Sequence, residues 1–149
     1  MLFRKQLSYH DPVNGRIGDC LRTCYACILN LEPSEVPHFL ELHWNDGDPD
    51  LVSIAKEIDA FLAIRGLARF DVVYPGDVPF QDIAEHIYNI NGDITYLVGG
   101  ASPHGGGHSV IYKGKSMLWD PAPANRGIVG PLKDGHYWVT ILTPHFVVE

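Results

Sequence analysis

The sequence predicts an α+β protein with helices in its first half and an antiparallel sheet in its second. Two observations carry that reading. Apolar residues recur at helical spacing up to about residue 66, and after residue 90 the chain breaks into short β-branched or aromatic runs bounded by glycine, proline and asparagine. Helices followed by strands, without regular alternation, indicate a sheet built from hairpins with helices packed against it.

The elements follow in order. Asp19 is a good N-cap residue, and Cys20, Leu21, Cys24, Ile28 and Leu31 then trace one apolar helical face, ended by Pro33 and Ser34. Ser34 is expected to cap a short helical turn running toward Leu42, with Pro37 in its first turn. Pro49 and Asp50 open a third helix, whose stripe is Leu51, Ile54, Ala55, Ile58, Phe61 and Leu62 before Gly66 stops it. A strand is expected over Phe70 to Tyr74, and a helix over Phe80 to Ile90 with Ile83, Ala84, Ile87 and Ile90 inward. Further strands are expected at Ile94 to Val98, His108 to Tyr112, Met117 to Trp119, Tyr137 to Leu142 and Phe146 to Val148.

The 149 residues have the length of one ordinary domain, and no repeat or linker divides them. A net charge of −7 leaves no basic stripe to neutralise phosphates, so nucleic acid is not an expected partner. No apolar window approaches a membrane span, so the chain reads as a soluble protein with no membrane partner. The three cysteines crowd into one helix in an odd number, which is no disulfide framework and suits the reducing cytoplasm.

Cys20 is the candidate nucleophile. It falls at the first turn of a buried helix, directly after Gly18-Asp19, where free backbone N–H groups and the helix dipole favour a thiolate and can hold an oxyanion. Cys24 and Cys27 lie one and two turns deeper and read as small hydrophobes. The base is expected downstream, in Pro103-His104-Gly105-Gly106-Gly107-His108-Ser109-Val110-Ile111-Tyr112. If Lys113-Gly114-Lys115 is a three-residue hairpin loop, Tyr112 stands opposite Ser116 and His108 opposite Asp120. Directly opposed residues have Cβ atoms roughly 4.5–5.5 Å apart, near enough for a carboxylate to orient an imidazole. His104 is a competing base, although its glycine-rich surroundings better suit a lid or a substrate contact. His104, Gly106, Gly107 and Trp119 are accordingly the candidate substrate-binding residues.

With these residues in place the chain resembles the papain-like cysteine peptidase superfamily. The resemblance rests on Gly18-Asp19-Cys20 before an apolar helix, Gly107 to Tyr112, and Trp119-Asp120-Pro121. Within the superfamily it is most similar to bacteriocin-processing domains that cleave double-glycine leaders. It also resembles short phage and prophage proteins that share the Gly-Asp-Cys helix, a Val-Pro-His-Phe segment (Val36 to Phe39) and the Asp-Pro motif. The resemblance implies a papain-like fold, cleavage of a peptide, isopeptide or related amide bond, a peptide or protein substrate, and no metal or organic cofactor. Six positions before the cysteine the superfamily places a glutamine that donates to the oxyanion hole; here that position is Asn14, whose neighbour Gly15 also lets the pair read as a turn.

Three rival readings use the same residues. The spacing Cys20-x-x-x-Cys24-x-x-Cys27 resembles that of iron–sulfur radical enzymes, but those need a loop and a long partial barrel, and neither is expected here. A zinc site from these cysteines with His104 or His108 would require three helical ligands to converge. A non-catalytic phage or prophage accessory protein, keeping the fold without turnover, is the alternative function.

Overall fold

The computed structural model describes residues 1–45 and 47–146, with Pro12 described by its backbone alone. Among the described residues there are four α-helices: α1 (Cys20–Leu29), α2 (Phe39–Leu42), α3 (Leu51–Ala63) and α4 (Phe80–Asn91). Seven strands accompany them: β1 (Trp44–Asn45), β2 (Asp48–Pro49), β3 (Leu67–Pro75), β4 (Thr95–Ala101), β5 (Gly107–Lys113), β6 (Ser116–Trp119) and β7 (His136–Pro144). β1 and β2 form a small hairpin. The other five make one antiparallel sheet in the order β3-β7-β4-β5-β6. The expected α+β architecture is therefore present.

Local sequence explains where the helices start and stop, with some corrections. α1 begins after Asp19, but the Asp19 side chain makes no capping bond. α1 ends earlier than expected because Asn30 takes a left-handed conformation (φ 59°) and its N–H returns to the carbonyls of Ala26 and Cys27. Ser34 caps nothing. Pro33–Glu35 form a 3-10 turn closed by a Glu32–Glu35 capping box, and α2 starts at His38, whose Nδ1 accepts from the Glu41 N–H at 3.3 Å. α3 starts as expected: the Asp50 carboxylate accepts from the Ser53 N–H at 3.2 Å and its hydroxyl at 2.8 Å.

The sheet is covered on both faces, and alternation along its strands assigns each residue to a side. Leu97 and Ile111 face α1 to α3, joining Cys24, Tyr25, Phe39, Ile58, Phe61 and Leu62 in one core. Tyr96, Val98, Val110 and Val139 face the other way and pack on Phe80, Ile83, Ala84 and Ile87 of α4. Leu51 and Ile90, expected inward, are 65% and 67% exposed, because each sits at a helix end beyond the span that meets the sheet. β3 is longer than expected since its whole length, Leu67 to Pro75, pairs with Pro144 to His136. The strand expected at Phe146 to Val148 is not formed at Phe146, and the rest of it lies outside the described residues.

The β5–β6 hairpin departs from the expected register. Lys113 pairs with Ser116, so the loop is Gly114-Lys115, two residues long, with Gly114 at φ 60°. A shift then intervenes: Tyr112 pairs with Met117 but Ile111 with Trp119, leaving Leu118 as an extra, bulged residue.

Candidate active site

The shorter loop and the bulge together decide where Asp120 points. A two-residue loop alone would set Asp120 opposite Ser109, on the wrong face for His108. The extra Leu118 moves it one step, so that in the continued register Asp120 stands opposite Val110, on the His108 face and one diagonal away. His108 is thus not directly opposed to Asp120 as the sequence had implied. The contact forms all the same, with His108 Nε2 2.7 Å from Asp120 Oδ1.

Asp120 is 1% exposed, and both of its carboxylate oxygens accept hydrogen bonds. Oδ1 also accepts from the Ala122 N–H at 2.8 Å, and Oδ2 accepts from the Gly127 N–H at 2.7 Å. Burial works to raise its pKa, but the hydrogen bonds from His108, Ala122 and Gly127 outweigh burial and hold it below the ordinary carboxylate value. The carboxylate stays charged against His108.

α1 delivers the cysteine to the other side of the same ring. The Cys24 thiol donates to the Ser109 carbonyl at 3.4 Å, which seats α1 beside the start of β5. Cys20, one turn earlier on the same helical face, then lies beside His108. Its thiol lies close enough to that imidazole to help hold a charge on the ring. Because Nε2 is taken by Asp120, Nδ1 is the nitrogen left for the thiol. Burial opposes a charged imidazole, but the bond to Asp120 and the neighbouring Cys20 outweigh it and push the His108 pKa up to about 9. The three side chains expected from the sequence as nucleophile, base and orienting acid are brought together, all nearly buried.

Surrounding groups keep competing charge off the sulfur. Asp19, adjacent in sequence, is engaged elsewhere: Oδ1 accepts from the Ser8 N–H at 2.8 Å, and Oδ2 pairs with Arg22 Nε at 3.0 Å. Since it does not cap α1, the first N–H groups of the helix are left uncapped by it. Cys24 and Cys27 are fully buried, and burial pushes both thiols up, Cys24 strongly. Neither of the two is suited to be a nucleophile at neutral pH.

The remaining candidates are distributed unevenly. The loop carrying His104 is a hydrogen-bonded turn, with Ser102 N–H to Gly106 O at 2.9 Å and Gly105 N–H to Ser102 O at 3.0 Å. His104 is exposed on it, while Gly105 and Gly106 have φ of 85° and 76°, which glycine adopts freely. Gly107 opens β5 directly before His108, and a Cβ there would press on Leu132 at 3.1 Å. Trp119 is half-buried and packs against the core beneath the sheet. Its Nε1 donates to Arg4 O at 2.7 Å, Phe3 meets its ring edge-on, and Lys5 Nζ lies 4.2 Å from its centroid. Asn14, the superfamily-position counterpart of the oxyanion donor, is exposed in the 3-10 turn Pro12–Asn14 and gives one amide N–H to Asp11 Oδ2 at 2.7 Å.

Two residues at the site carried no sequence signal. Lys5 donates to the carbonyls of Asp120 (2.8 Å) and Ala122 (2.9 Å) and to Asn125 Oδ1 (2.6 Å), tying the N-terminal segment to the Asp120 loop. His10 lies against Gly18, whose N–H donates to its Nδ1 at 3.3 Å. A concavity of about 660 Å³ is lined by Arg22, Val36, Pro37, His38 and neighbours and by none of the three central side chains. No group of three or more His, Cys, Asp or Glu side chains among the described residues is arranged to hold a metal ion. No helix among them is long and apolar enough to cross a membrane. Compared with protein-family models, with curated proteins and with solved structures, the chain has no significant match.

Proposed function

We propose that the protein is a papain-like cysteine hydrolase acting on a peptide, isopeptide or related amide bond through a thioester at Cys20. The observation that carries this reading is one buried imidazole bonded to a carboxylate and neighboured by a thiol at a helix N-terminus. Cys20 transfers its proton to His108, and Asp120 stabilises the imidazolium that results. The thiolate attacks the carbonyl carbon, and the carbonyl electron pair moves to oxygen beside the N–H groups of the first turn of α1. Collapse of the tetrahedral intermediate expels the amine, which takes its proton from His108. Water, deprotonated by His108, then cleaves the thioester and regenerates the thiol. A His108 pKa near 9 suits a ring that keeps the proton taken from Cys20 until the amine leaves. Three free thiols suit a reducing compartment, and on that ground we place the protein in the cytoplasm.

The 7% exposure of Cys20 favours a second reading, a non-catalytic interaction protein that keeps this arrangement without turnover. One experiment separates the two. The protein and its Cys20→Ala variant are exposed to electrophilic peptide and ubiquitin-like probes and weighed intact. A hydrolase gives a single adduct that the variant lacks; no adduct with any probe, in a folded protein, favours the interaction protein.

A further inference from the structure

The His10 ring bonds the glycine two residues before the nucleophile and lies near the glycine two residues before the base. On one side, a Cβ at Gly18 would lie 2.9 Å from the His10 backbone nitrogen and 3.0 Å from its Cβ, so the chain at residue 10 lies hard against the turn that leads into Cys20. On the other, a Cβ at Gly106 would be 3.7 Å from His10 Cδ2. The ring is held from a third direction by Trp44, edge to face at 5.4 Å and 67°. His10 therefore lies between the two segments that supply the reacting groups.

Its protonation follows from its partner. Nδ1 accepts the Gly18 N–H at 3.3 Å, so in the neutral ring the proton is on Nε2. Nε2 is bonded to Cδ2, the atom that faces the glycine loop, and no hydrogen-bond partner for it is found among the described residues. His10 is exposed, and its N–H donor, without an acceptor among the described residues, lies between the segments that lead into Cys20 and His108. The other side-chain donor expected there, Asn14, gives one of its two N–H groups to Asp11.

We propose that His10 is a catalytic residue whose Nε2–H, together with the Cys20 backbone N–H, holds the carbonyl oxygen of the substrate as it becomes an oxyanion. The inference rests on the hydrolase reading and specifies the donor which that reading lacks. It requires no acid or base step at His10, only a hydrogen bond that strengthens as negative charge develops on the oxygen.

Two reactions of the same sulfur separate this role from a structural one. With p-nitrophenyl acetate the thiolate forms an Sγ–C bond, the carbonyl pair moves to oxygen, and its return expels p-nitrophenolate and leaves an acetyl thioester; water then releases acetate. With iodoacetamide the thiolate displaces iodide from a saturated carbon and no oxyanion forms. His10→Ala is expected to slow acylation on the order of 10²–10³-fold while alkylation of Cys20 keeps its parent rate. His10→Gln, which retains a side-chain N–H, is expected to recover much of the lost acylation rate. Acylation and alkylation falling together in both variants would show that His10 only props the Gly18 turn, and would overturn the proposal. So would unchanged acylation in His10→Ala, or slowing confined to Asn14→Ala. A parent that alkylates at Cys20 but is never acylated overturns the donor site and leaves the nucleophile standing. A parent in which Cys20 alkylates no faster than Cys24 and Cys27 removes the hydrolase reading itself.

Discussion

His108 is pulled two ways, since burial disfavours its charge while Asp120 and Cys20 favour it, and the second pull prevails. Its folded-state pKa of about 9 stands above the ordinary value of 6.5, so folding favours the protonated ring. That stabilisation is complete below the unfolded value and is lost as pH rises through about 9. Melting temperatures of the parent and His108→Gln should therefore converge as the pH is raised from neutral to about 10. A constant difference across that range would mean that the ring is not charged in the folded state. Asp120→Asn should cost about a thousandfold in turnover, because an amide neither fixes the required tautomer nor stabilises the imidazolium; activity assayed with the best peptide probe checks this. At the residue scale the sequence was informative where chemistry depends on residue type: Cys20, His108 and Asp120 were each readable from their immediate neighbours. His10 was not, because its importance comes from lying against Gly18 and Gly106, one of them nearly a hundred positions away.

Among the elements, the β5–β6 hairpin shows how a correct contact can be expected from an incorrect register. The three-residue loop and the observed two-residue loop with a bulge both place His108 and Asp120 on one face, since each lengthens the path by one residue relative to a plain two-residue hairpin. The turn residues fix the loop to within one position, but the bulge arises from packing. Trp119 must face the α1 core, where Arg4 O holds its indole. Deleting Leu118 should remove the bulge and send Asp120 to the opposite face while leaving the ladder near Gly114 intact. Such a variant should fold, by circular dichroism, yet lose the Cys20 reactivity that depends on Asp120; reactivity equal to the parent's would show that the bulge does not orient the acid. The helix positions were legible from period and capping residues, as at Asp50. The exact ends were not, because Asn30 and the Glu32–Glu35 box compete with the patterns that Pro33 and Ser34 suggest.

Across the whole molecule, the N-terminal segment binds the site's two halves to each other. Leu2 N–H reaches Cys27 O at 3.1 Å, Gln6 N–H reaches Pro121 O at 2.9 Å, and Ser8 exchanges bonds with Asp19 in front of Cys20. Lys5 closes the strap with its three acceptors around Asp120, so Lys5→Met should destabilise the protein by about 1–3 kcal/mol in urea unfolding. It should also speed hydrogen exchange at the Gly127 amide, which bonds Asp120 Oδ2; unchanged exchange would place the strap outside the site's support. None of this was legible in the sequence, since Lys5 and its acceptors are separated by 115 to 120 positions and share no local pattern. The same global arrangement sets the three cysteines apart, leaving one thiol beside an imidazole and sealing the other two in the core. The most direct test is the rate of iodoacetamide alkylation at each cysteine as a function of pH, read by peptide mass. Cys20 is expected to react first and well below about pH 8, and to slow sharply in His108→Gln. Alkylation only above that pH, at similar rates on Cys20, Cys24 and Cys27 and indifferent to His108, would contradict the convergence of sulfur, imidazole and carboxylate.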